Sequence, residues 1–123
     1  MKTVKFEGKE RKVFTIHVFD EDVDIILVGR TYNTNGTLAV EALVVENGRV
    51  SERWCVCTTN LDPYTGFGVQ SEKRAYLNLS DGNEEWLPQL LADNGIAVPL
   101  EHSARSGFCT YPLYEWDLTK ACA

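Results

Sequence analysis

The dipeptide Asn47-Gly48 constrains this chain more than any other feature. It sits between two runs rich in β-branched and apolar residues, 37–46 and 49–59. A two-residue hairpin turn whose twist matches its strands needs positive φ at both central positions, and Asn-Gly supplies them at little cost. The pair therefore predicts an antiparallel hairpin over residues 37–59 and commits the fold to antiparallel sheet.

Other strands follow from alternation. Residues 3–6 and 12–19 read as two strands joined by a turn at 7–10 that contains Gly8. In the second run Val13, Thr15, His17 and Phe19 share one face and Phe14, Ile16 and Val18 the other. Both faces carry apolar residues, which predicts an inner strand. Residues 24–32 form a third strand, and the sequence Asn33-Thr34-Asn35-Gly36 turns the chain. Residues 60–73 read as a long loop with Asp62-Pro63 and Gly66-Phe67-Gly68, a length that usually marks function or motion. Residues 74–79 suit a short strand, 101–107 a second loop, and 108–118 a final strand. Pro112 removes a ladder donor from that strand, so it lies at an edge or carries a bulge.

One helix is expected, over residues 83–94. Asn83 can cap it, Glu84 and Glu85 suit its positive end, and Trp86, Leu87, Leu90 and Leu91 form an apolar stripe. Pro88 fits only if the regular helix begins just before it, which would leave 83–86 as a separate turn. Gly95 ends the helix and Pro99 blocks its resumption. The expected fold is a single α+β domain over 1–123. It has a mainly antiparallel sheet of about six or seven strands, with one amphipathic helix (83–94) packed on it. A chain of this length buries enough surface for a core without staples.

The net charge is −6, with a pI near 4.8. That balance disfavours bulk binding to nucleic-acid phosphates and favours a basic partner. Basic residues gather at the start (Lys2, Lys5, Lys9, Arg11, Lys12), and Asp20, Glu21, Asp22 and Asp24 follow. The acidic run lacks the glycine and terminal glutamate of a calcium loop. The first residues contain no apolar stretch of the secretory kind, so a cytoplasmic location with reduced thiols is expected, and no membrane span. Cys55 and Cys57 share one face of a strand, but with Cys109, Cys122, His17 and His102 they form no metal-ligand spacing, so no metal or cofactor is expected. Small core residues are the better account of the cysteine pair. A Cys109–His102 nucleophile and base is conceivable, with no helix start to activate the thiol. Gly66-Phe67-Gly68 is no phosphate loop, since no Lys-Ser or Lys-Thr follows it.

Aromatic residues crowd the two long loops. Phe108, Trp116 and Trp86 are expected to pack between sheet and helix. Tyr64, Phe67, Arg105, Tyr111 and Tyr114 are the candidate binding residues, because exposed aromatics beside an arginine are enriched in protein interfaces.

Two segments carry a family resemblance. Trp86-Leu87-Pro88-Gln89-Leu90-Leu91-Ala92-Asp93-Asn94-Gly95 and Ser106-Gly107-Phe108-Cys109-Thr110-Tyr111-Pro112-Leu113-Tyr114-Glu115-Trp116 resemble a family of small uncharacterised proteins of gut bacteria, and Leu38-Ala39-Val40 also fits. The resemblance spans roughly residues 36–118. It implies a domain of unknown function often carried on plasmids and integrative elements, with no assigned catalytic residue. The acidic run and the Cys55/Cys57 pair lie outside the pattern. Together these features lead to a non-enzymatic cytoplasmic protein-interaction domain, an accessory or host-defence-inhibiting factor of a mobile element. The alternatives are a small nucleic-acid-binding domain using the basic start and aromatic stacking, and an enzyme built on Cys109 and His102.

Overall fold

The computed structural model describes residues 2–61 and 69–123. Strand β1 (Thr3–Phe6) turns through Glu7-Gly8 into β2 (Lys9–Lys12), and the two form a small antiparallel sheet of their own. Strands β3 (Phe14–Val18), β4 (Glu21–Thr31), β5 (Leu38–Glu46) and β6 (Arg49–Val56) make a four-stranded antiparallel meander in chain order. Strands β7 (Thr58–Thr59), β8 (Arg74–Leu77), β9 (Ala97–Ser106) and β10 (Cys109–Trp116) form a second four-stranded sheet, ordered β7-β8-β10-β9. Helix α1 (Leu87–Asn94) follows a 3-10 turn at Asn83–Glu85, and a second 3-10 turn, Leu118–Ala121, comes after β10.

The expectation of one sheet of six or seven strands is therefore corrected: the described residues hold ten strands in three sheets. Single-residue interruptions do the dividing. Val13 separates β2 from β3, and Cys57 separates β6 from β7. At Cys57 the chain leaves one sheet and enters the other without a turn. Its N–H donates to the Val40 carbonyl (2.7 Å), and its own carbonyl accepts from the Asn78 N–H (2.8 Å). The segment expected to be an inner strand, β3, is the edge of its sheet, with Ile16 and Val18 buried and Thr15 and His17 exposed. Of the loop expected at 101–107, residues 101–106 belong to β9, and only Gly107 lies in a turn.

Several local expectations hold. Asn47 and Gly48 have φ of 53° and 75°, as the hairpin turn requires. Strand β10 is an inner strand, so Pro112 is accommodated by irregular pairing: Pro112 faces Ser103 while Tyr114 already faces Pro99. Pro88 lies in the first turn of α1, where its missing N–H costs no hydrogen bond. Asn83 does not cap the helix. Its side chain is buried instead, and its amide donates to the Asn78 carbonyl (3.0 Å).

The main core joins both large sheets to the helix. Ile25, Leu27 and Val40 of the meander meet Ala75, Leu77 and Trp116 of the second sheet and Leu87, Leu90 and Leu91 of α1. Full burial of each large aliphatic side chain contributes about 1.5–3 kcal/mol. On the far face of the meander Ile26, Val28, Leu43 and Val45 are covered by Val4 and Phe6 of the first hairpin. On the far face of the second sheet Leu61, Tyr76, Ala104 and Leu113 form a smaller cluster.

Candidate functional site

The second sheet ends in a hairpin that projects an aromatic side chain. Ser106 pairs with Cys109, so the loop is the two residues Gly107-Phe108. Gly107 has a φ of 61°, the conformation a two-residue turn with glycine first demands. Phe108 takes the second position and is 101% exposed. The expectation that it packs between sheet and helix is corrected: alternation put it on a strand, but it occupies the turn. Trp86 and Trp116 do lie in the core.

The candidate binding residues divide. Arg105, opposite Thr110 and close to the turn, is exposed, and no carboxylate among the described residues pairs with it. Tyr111 is half-buried against the Leu61, Tyr76, Ala104 and Leu113 cluster. Tyr114 packs against the main core instead. Tyr111 and Tyr114 are three residues apart on one strand, so alternation puts them on opposite faces of the sheet, and they do not converge. Tyr64 and Phe67 lie outside the described residues. Sequence reasoning also missed Val98, which is half-exposed on β9, and Phe19, which stands on the β3–β4 turn and is 63% exposed.

Strand β9 is the outer edge of its sheet. Between Pro99 and Ser103 it carries extra residues relative to β10, and Pro99 itself offers no donor. Both features interrupt pairing along the inner half of that edge. The half next to the turn, where residues 103–106 face Pro112, Tyr111, Thr110 and Cys109 in regular register, is uninterrupted.

The other sequence candidates fall elsewhere. The His102 ring nitrogen Nε2 lies 3.0 Å from the Tyr76 hydroxyl, and the two rings are 6.1 Å apart. Cys109 is exposed and engages the Tyr111 hydroxyl, which holds the phenol above its usual pKa. Cys109 faces Ser106, four positions along β9 from His102, a strand distance of about 13 Å. The structure does not assemble a Cys109–His102 pair. In the basic hairpin Lys2 pairs with Asp24, Glu7 pairs with Arg30 (2.6 Å), and Arg11 is buried with its Nε donating to the Phe6 carbonyl (3.3 Å). Part of that positive charge is thus spent within the fold. The acidic run is likewise dispersed: Asp22 meets His17 (2.8 Å), and Asp24 accepts from Thr15 (2.6 Å). Among the described residues no three His, Cys, Asp or Glu side chains gather as a metal site, and no helix is long and apolar enough to cross a membrane.

A family model described as "Domain of unknown function (DUF4313)" matches residues 27–122. The chain belongs to this family. The matched region runs from within β4 to the second 3-10 turn, so it includes the projecting hairpin, helix α1 and the joint at Cys57. No curated protein and no solved structure matches the chain.

Proposed function

We propose that this protein is a protein-interaction domain whose contact element is the β9–β10 hairpin. The observation that carries this reading is Phe108, a fully exposed phenylalanine held at the tip of a tight turn. A large apolar side chain gains nothing in water. Buried in a partner's pocket, it would contribute about 1.5–3 kcal/mol and act as an anchor. Arg105 stands beside it, paired with no carboxylate among the described residues and suited to a bidentate contact with a carboxylate on the partner. The regular outer half of β9 adds backbone groups that a partner's extended segment could pair with. The partner is a protein rather than a nucleic acid, given the net charge of −6 and the internal pairing of Lys2. An accessory role for a mobile element of gut bacteria is the context that the resemblance of the C-terminal segments suggests.

A photo-crosslinking residue placed at position 108 in the producing cells tests this reading. A discrete cross-linked protein is expected at 108, and not with the same residue at exposed Glu46 on the opposite sheet. The product should be lost on Arg105→Glu. No cross-link at 108 beyond that seen at 46 would sink the reading.

A further inference from the structure

A second site lies where the two large sheets meet. Strand alternation puts Cys55 and Cys57 on the same face. Their environments differ. Cys57 is fully buried in the main core. Cys55 is half-buried and lines an open cleft of about 620 Å³, bounded by Phe19, Arg53, Trp54, Asn78 and Asp81. Both cysteine side chains lie against the main core, and Asn78, whose amide donates to the Val56 carbonyl (3.1 Å), accepts from the buried Asn83 amide (3.0 Å) beside them. The Asn83 Oδ1 is buried without a hydrogen-bond partner among the described residues.

Two tight turns shape the cleft wall. Phe19 and Asp20 (φ 55° and 62°) are the two-residue turn between Val18 and Glu21, and Asp81 and Gly82 (φ 57° and 84°) form a second left-handed pair. Contact with Cys57 lowers the pKa of Cys55, aided by Asn83 and by the charge of Arg53, whereas the same contact and burial push Cys57 well up. A thiol that lines an open cleft and has a lowered pKa, beside a buried thiol with a raised one, is the arrangement of an attacking and a resolving cysteine.

We propose that Cys55 and Cys57 form a peroxide-sensitive dithiol, in which a hydroperoxide entering the cleft oxidises Cys55 and Cys57 then closes an intramolecular disulfide. The Cys55 sulfur attacks one peroxide oxygen, the O–O bond breaks, and the departing oxygen takes a proton to leave as water or an alcohol. Cys55 is then a sulfenic acid. The Cys57 sulfur attacks it, the S–O bond breaks, and the hydroxide leaves as water with the proton from Cys57. Two thiols have lost two electrons, and one peroxide has gained them.

Closure has a structural consequence. In an extended strand the two Cα atoms stand about 6.6 Å apart, near the upper end of the disulfide range, and the parallel Cβ atoms are about as far apart against the roughly 3.5–4.5 Å a bridge needs, so closure must bend the strand. Joining the sulfurs draws Cys57 toward Cys55 and loads the hydrogen bonds to Val40 and from Asn78 that tie the two sheets together.

The test uses the full chain carrying Cys109→Ser and Cys122→Ser, folded as judged by circular dichroism, and titrated with hydrogen peroxide. Intact mass is expected to fall by the mass of two hydrogens and recover with dithiothreitol, and peptide mapping should place the bridge at 55–57. Adding Cys57→Ala should halt the reaction at a dimedone-trapped sulfenic acid on Cys55, and Cys55→Ser should abolish both products. Amide exchange at Cys57 and Asn78 should speed up on oxidation. Should Cys57→Ala fail to fold, the mass and mapping of the parent chain still decide the matter. Oxidation of Cys55 to sulfinic acid with no bridge, or a Cys55 reacting no faster than an unstructured cysteine, would overturn the proposal.

Discussion

Replacing Gly82 with alanine probes the cleft wall through two separable effects. Gly82 has a φ of 84°, and a Cβ built there would stand 2.6 Å from Cζ of Phe19 and 3.2 Å from its Cε1. The left-handed backbone costs an alanine about 1–2 kcal/mol. The second effect depends on the ring. Phe19 is 63% exposed, so about a third of its surface rests on the protein. A phenylalanine presents on the order of 200 Å², so the resting third comes to about 70 Å². At about 25 cal/mol per Å² its complete displacement would cost about 2 kcal/mol, and a partial slide correspondingly less. Gly82→Ala is therefore expected to cost about 2–3 kcal/mol in the native background. With Phe19→Ala already in place it should cost only the backbone share, about 1–2 kcal/mol. Urea denaturation of the four proteins gives the cycle, provided the slopes agree. If Gly82→Ala costs under about 0.5 kcal/mol in both backgrounds, far below the left-handed penalty, the left-handed assignment is wrong. Equal costs in the two backgrounds would mean that the ring does not lie over Gly82.

Three further outcomes are expected. Leu91→Ala, at a fully buried position facing both sheets, should cost about 2–5 kcal/mol, measured by chemical denaturation. Phe108→Ser should change stability by less than about 0.5 kcal/mol in the same assay, because the ring touches nothing that folding buries. The Asp24 carboxyl is held below its usual pKa by Lys2 first and Thr15 second, so its contribution is present above about pH 4 and is lost as the pH falls through the lower folded value. Asp24→Asn should accordingly flatten the acid limb of a melting-temperature profile and leave its neutral-to-basic slope unchanged; an acid limb as steep as the parent's would contradict the pairing.

The parts of the fold that were legible in the sequence are those set by local chemistry. Asn47-Gly48 fixes its turn through φ alone, and the α1 stripe is visible because its apolar residues face one core. Pro88 even marked the break between the 3-10 turn and the helix. The division into three sheets was not legible. It depends on Val13 and Cys57, residues that read as ordinary strand positions and interrupt pairing only because of where neighbouring strands end. Strand β9 was hidden for a different reason. An edge strand with Pro99, Glu101, His102, Ser103 and Arg105 buries only Ala97 and Ala104 fully, so it shows no alternation to read. The candidate site was legible only in part. Arg105 lies beside the exposed tip, but Tyr111 and Tyr114, three residues apart on one strand, face opposite sides as alternation alone dictates, so they could not have shared one surface. Phe108 resembled a core residue because a turn position inside an apolar run looks like one more strand position.

The passage through Cys57 sets a limit on how this chain can vary. Other connections, such as the Gly107-Phe108 turn at the exposed tip, could be lengthened mainly at the cost of loop entropy, which grows slowly with length. The step from β6 to β7 has no such slack. Its single intervening residue is bonded on one side to Val40 and on the other to Asn78. One inserted residue there would reverse the facing of every side chain beyond it until the next loop, exchanging buried Thr58 with half-buried Thr59 and breaking the match to Leu77 and Tyr76. Chain length at this point is as much a part of the fold as any side chain in the core.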